Sequence, residues 1–194
     1  MSHHHSCTLF SHRPRTAPAR NARGVTLVEL LAVVAILAIV ATVAIPSYNA
    51  YFEKARVRQA AEEILGLILQ AKAEGPIRDA NLSLAIDSDA WCLGFSDTPH
   101  CDCSQLAGDS ACTIQVAGEP VRQVVSGEDF PGVAITSNFP GNGTSFNRLR
   151  GNASPGGSIA VISGNTVVEV RVGVSGRVRL CAAQGSGLRG YPPC

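Results

Sequence analysis

From residue 25 to residue 45 the chain is apolar except at Thr26, Glu29 and Thr42, and Pro46 follows. A helix needs about 20 such residues to cross the hydrocarbon core of a bilayer. The pattern therefore predicts one membrane-length helix. Glu29 sits near its start, where an unpaired carboxylate is costly. An anchor alone does not account for that residue. Beyond Pro46 the apolar positions become one-sided. Val57, Ala60, Ala61, Ile64, Leu67, Ile68 and Ala71 recur at spacings of three and four, with Glu53, Lys54, Arg56, Arg58, Glu62, Glu63 and Lys72 between them. That is the period of an amphipathic helix packed on a domain. Gly75-Pro76 is expected to stop it, and Pro46 to kink or locally break it.

From residue 81 onward the period changes to that of strands. Segments 82–86, 90–95, 113–117, 121–125, 132–138, 144–149, 158–162, 166–172 and 177–182 read as strands, with Gly141-Asn142-Gly143, Gly156-Gly157 and Gly164-Asn165 as turns. In 166–172 the alternation puts Val168, Val170 and Val172 on one face and Val167, Glu169 and Arg171 on the other. Trp91 is expected in the core. The expected fold class is α+β: a long N-terminal helix packed on antiparallel β-sheet. The chain divides into a leader (1–24), a transmembrane helix (25–45), its amphipathic continuation (46–75) and a β-rich globular domain (76–194).

Charge sharpens this division. The formal net charge is only +1, but it is unevenly placed. Arg13, Arg15, Arg20 and Arg23 precede the apolar run without an acid among them. Arginines there stay on the cytoplasmic side, which puts the C-terminal domain outside the cytoplasm. Residues 79–129 carry many acids against Arg122 alone, whereas 148–194 carry Arg148, Arg150, Arg171, Arg177, Arg179 and Arg189 against Glu169 alone.

The leader boundary and the helix start resemble the type IV pilin and pseudopilin family. The matching residues are Gly24-Val25-Thr26-Leu27-Val28-Glu29-Leu30-Leu31, then Pro46 and Ser47-Tyr48. The resemblance implies cleavage by a prepilin peptidase between Gly24 and Val25, N-methylation of Val25, and assembly roles for Glu29 and Pro46. The usual first mature residue is Phe or Met, so Val25 departs mildly from the pattern. It also implies that Glu29 meets the free N-terminal amine of a neighbouring subunit, so that two charges in lipid compensate one another. The partners implied are other pilins or pseudopilins, the peptidase and the inner membrane. The location implied is a single-pass inner-membrane protein with a periplasmic domain, assembled later into a pilus or pseudopilus.

A second resemblance covers 145–151 and 174–181. It is to the GspH/FimT branch of minor pilins, some of which are implicated in binding DNA through Gly-Arg-x-Arg. Gly176-Arg177-Val178-Arg179 matches that motif. The implied function is non-specific binding to the phosphate backbone of double-stranded DNA during natural transformation, through Gly176, Arg177 and Arg179 with Arg148, Arg150, Arg171 and Arg189. Guanidinium forks suit phosphate, and phosphate contacts carry no sequence information. The alternative is a GspH-like pseudopilin of a type II secretion system, with an assembly role and no DNA binding.

Of the seven cysteines, Cys7 lies in the leader. Cys92, Cys101, Cys103, Cys112, Cys181 and Cys194 all lie beyond the apolar run. An even number in an oxidising compartment predicts three disulfides. Cys181 is expected to pair with Cys194, and the other four among themselves in an order left open. A zinc site at Cys101-x-Cys103 is disfavoured, because structural zinc takes paired Cys-x₂₋₄-Cys ligands. No catalytic constellation, metal site or cofactor motif is expected.

Overall fold

The computed structural model describes residues 24–186 and 188–194. Leader residues 1–23, with their arginines and Cys7, lie outside the described residues. So do the side chains of residues 43 and 45–47. The chain forms two compact units, residues 1–43 and 44–194.

Helix α1 runs Leu27–Arg78 and includes Pro46. Its start is capped from within. The Thr26 hydroxyl accepts the backbone N–H of Glu29 at 3.3 Å, and Leu30 N donates to Thr26 O. Thr-x-x-Glu is the spacing of a capping box, so Glu29 also lies where an acid complements the helix dipole. From Leu27 to Val40 the large apolar side chains are exposed. An apolar helix surface left in water demands another apolar phase or a partner. Among the described residues, no helix is long and apolar enough to cross a membrane. The stretch 27–42, whose side chains are described, rises only about 24 Å, short of the ~30 Å core. The span expected over 25–45 includes residues 43 and 45, which fall outside that stretch.

In the second unit the helix packs its one-sided face. All of Val57, Ala60, Ala61, Ile64, Leu67, Ile68 and Ala71 are buried, and they join residues of both main sheets in one core. The helix ends at Arg78 rather than at Gly75-Pro76. Arg78 holds the last turn by an ion pair to Glu74 and a bond to Gln115 O. Ala80 N then wraps back to Gly75 O, and Asp79 takes the left-handed conformation (φ 52°) usual just past a helix end.

The strands are β1 Leu82–Asp87, β2 Cys92–Ser96, β3 Thr113–Val116, β4 Glu119–Arg122, β5 Val124–Ser126, β6 Ala134–Ser137, β7 Gly143–Phe146, β8 Ala153–Ser154, β9 Gly157–Ser163, β10 Thr166–Val172 and β11 Val178–Ala182. One sheet has the order β5-β2-β1-β7-β8, another β11-β10-β9-β6, and β3-β4 stand apart as a hairpin. Every paired neighbour is antiparallel. The fold is α+β, a long N-terminal helix packed on antiparallel sheets.

Two expected strands are corrected. Segment 121–125 is two short strands in different sheets. Between them Gln123 exchanges main-chain bonds with Cys112 and Phe95. Segment 144–149 ends at Phe146, because the Asn147 side chain accepts the N–H groups of Leu149 and Arg150 and turns the chain. Trp91 is half-buried. Its ring stacks on Phe130 at 5.6 Å and its indole N–H donates to Val133 O.

Three disulfides form: Cys92–Cys103, Cys101–Cys112 and Cys181–Cys194. The last pair is the expected one, and the first two resolve the order left open. All four sulfurs of the 92–112 region are engaged in these bonds. Peptide mapping without reduction should recover these three pairs. Replacing Cys181 and Cys194 by Ser should lower unfolding free energy by roughly 3 kcal/mol, the chain-entropy value for a ring of this size, read by urea denaturation. Recovery of any other pairing would refute the arrangement.

Candidate nucleic-acid interface

Arg171 and Arg179 face each other across the β10–β11 ladder. The outward face of β10 carries Val167, Glu169 and Arg171, while Val168, Val170 and Val172 are buried, as the alternation predicts. Arg177 precedes β11. Its carbonyl accepts the N–H of Gly173, which closes the 173–177 turn. Arg171, Arg177 and Arg179 line one concavity of about 480 Å³ together with Asn138, Ser158 and Ser175.

Arg177 and Arg179 are exposed, and neither enters an ion pair among the described residues. Arg171 is different. Its Nε pairs with Glu169 at 2.8 Å, and its Nη1 donates to Cys194 O at 3.4 Å. Glu169 is its neighbour two positions away on the same face. The sequence signal for that pair was the alternation itself.

The remaining arginines do not all join this surface. Arg150 is exposed and lines an adjoining concavity that shares Ser175 with the first. Arg148 lies at the helix end, where its exposed guanidinium pairs with Asp79 at 2.7 Å and its backbone N–H donates to Asn81 Oδ1. Arg189 is exposed on the C-terminal tail, and its carbonyl accepts from Arg58 of the helix. Whether these arginines share one face is not readable from the sequence. In the structure Arg171, Arg177 and Arg179 come together, Arg150 adjoins them, and Arg148 pairs with Asp79 at the helix end.

Gly176 is buried. It adopts φ +76°, and an added Cβ would fall 1.8 Å from Gly151 O. Its carbonyl accepts from Lys72 Nζ of α1. The close approach is to the chain's own 147–151 turn and helix. Lys72 is a contributor that the sequence did not signal.

The C-terminal tail is held by several contacts besides its disulfide. Ala182 N donates to Pro192 O, and Cys194 N donates to Ala182 O. The Tyr191 hydroxyl donates to Glu62 at 2.8 Å, and Arg58 lies over its ring. Desolvation, then the Glu62 bond and charge, push the Tyr191 pKa up to about 12, with Arg58 opposing. In the acidic 92–112 loop, the Ser104 hydroxyl and N–H hold the Asp102 carboxyl below its usual range.

Residues 19–45 match the family model described as the prokaryotic N-terminal methylation motif. The match falls on the start of α1 and on the residues that carry the resemblance to type IV pilins and pseudopilins. No curated protein matches the chain. Among solved structures it is similar to the minor pseudopilin EpsH from the type 2 secretion system of Vibrio cholerae. That match has 14% identity and a TM-score of 0.48, covering 66% of this chain and 97% of that one. It is also similar to the type IV minor pilin FimU of Pseudomonas aeruginosa, at 16% identity and TM-score 0.48, covering 70% and 98%.

Two outcomes follow from the geometry. Gly176→Ala should lose roughly 2–4 kcal/mol of stability, from left-handed backbone and overpacking together, while Arg177→Gln stays near wild type in the same urea titration. Equal stabilities would refute the role given to Gly176. The folded protein keeps the Tyr191 proton to about pH 12, whereas an unfolded chain loses it near 10. This contribution to stability is full below pH 10 and is lost as pH rises through about 12. Tyr191→Phe should flatten that part of the stability–pH curve, and an unchanged curve would contradict the assignment.

Proposed function

We propose that this protein is a minor type IV pilin that binds the phosphate backbone of double-stranded DNA for uptake in natural transformation. The observation that carries the reading is the exposed Arg177 and Arg179, which line one concavity and enter no ion pair among the described residues, with Arg150 in the next concavity. Guanidinium groups without internal partners are free to take phosphate oxygens in charge-assisted bonds. Such contacts position a duplex without reading its sequence, which suits uptake of arbitrary DNA.

The N-terminal part of the reading rests on the methylation motif over residues 19–45. A prepilin peptidase cleaves between Gly24 and Val25, and Val25 is then N-methylated. Residues 25–45 hold the protein in the inner membrane and later enter the filament beside other pilins. Glu29 meets a neighbour's terminal amine. The exposed apolar surface of 27–40 supports such packing.

A second reading is a type II secretion pseudopilin with an assembly role and no DNA binding. The internal pairing of Arg148 with Asp79 and of Arg171 with Glu169 favours it, because cations satisfied within the chain have less to offer phosphate.

The full-length protein in detergent, titrated with a labelled duplex at several salt concentrations, separates the two. The expected result is binding at low salt that weakens steeply as salt rises, and its loss in Arg177→Gln/Arg179→Gln. Equal binding by the double variant, or none by the wild type, would sink the DNA reading and leave the pseudopilin one.

A further inference from the structure

We infer that Glu169 sets how many arginines this surface offers to DNA, by withholding Arg171. The inference rests on the DNA-binding reading above and adds a residue that limits it.

The argument starts from the ladder. Arg171 and Arg179 are directly opposed across antiparallel strands, and like charges in that position repel. Glu169 supplies the missing counter-charge. Its carboxylate lies 2.8 Å from Arg171 Nε, and both side chains are partly shielded, at 23% and 37% exposed. Glu169 is itself fixed in place. It is paired in register with Cys181, and its carboxylate lies within 4.8 Å of the sulfurs of Cys181 and Cys194. The same disulfide brings Cys194 O to the other side of the Arg171 guanidinium. Arg171 is therefore neutralised and restrained on two sides, while Arg177 and Arg179 project from the same concavity without ion-pair partners.

The consequence for a polyanion is countable. Each phosphate neutralised by an arginine adds about 0.9 to the slope of log affinity against log salt. An arginine already neutralised by a fixed carboxylate neutralises no phosphate, and so it displaces none of the counterions condensed on the DNA. The site works with Arg177 and Arg179, and Arg171 stays with Glu169. Restricting the count keeps binding weak enough to reverse, which a protein that hands its DNA onward requires.

The test is the salt slope of duplex binding by the full-length protein in detergent, for wild type, Glu169→Gln, Arg171→Gln and the double variant. Glu169→Gln should bind roughly three- to tenfold tighter at low salt, with a slope steeper by about 0.9. Arg171→Gln should leave the wild-type slope unchanged. Adding Glu169→Gln to Arg171→Gln should not steepen it either. A merely structural ion pair would move melting temperature and leave the slopes equal. An unchanged slope in Glu169→Gln overturns the inference. So does a slope shallower by about 0.9 in Arg171→Gln, and that arm stands even where Glu169→Gln fails to fold. A wild type that binds no duplex at low salt overturns the function and the inference together. A wild type that binds, with the slopes contradicting the scheme, overturns the inference alone.

Discussion

One face of α1 carries the fold. Val57, Ala60, Ala61, Ile64, Leu67, Ile68 and Ala71 are buried to between 0% and 7% exposure, and residues of both main sheets pack into the core they begin. Three of these are alanines, which let a sheet come close to the helix axis without leaving a void. Leu and Ile fill the space between. A helix that offers small and large apolar groups in this order can seat two sheets at once, and each sheet then presents its outer face to solvent. The arginine surface is one of those outer faces. Its geometry is set by the pleat of β10 and β11, which in turn is pinned by Val168, Val170 and Val172 against the shared core.

The features legible in the sequence were those written in periodicity. The spacing of apolar residues over 57–71 named the buried positions of that stretch of the helix, and the alternation over 166–172 assigned both faces of β10 correctly. Both are regular elements whose burial follows from 3.6- and 2-residue repeats. The features that were not legible depend on long-range contacts. The course of α1 past Gly75-Pro76 depends on Arg78 reaching Gln115, far away in sequence. The end of β7 depends on one Asn side chain capturing two N–H groups. The division of 121–125 depends on which sheet each half meets. None of these leaves a periodic trace.

The site was legible in type but not in detail. The clustering of arginines in 148–194 was visible. Which arginines are free was not, because that turns on where acids lie in space. Asp79 is remote in sequence from Arg148, and its pairing could not be read from spacing. Glu169 is adjacent on its strand to Arg171, and its pairing could. The Gly-Arg-x-Arg stretch combines two kinds of residue. The arginines point outward, and the glycine is where the turn is bolted to the rest of the molecule.

That bolt has a mechanical meaning. Gly176 touches the 147–151 turn through Gly151 and is tied by its carbonyl to Lys72 on the helix. A pull applied at Arg177 reaches α1 through one residue and one charge-assisted bond, in parallel with the ladder of β10 and β11. Tension is thus divided between a side chain and a sheet, and Lys72 is the strut that ties this turn to the helix.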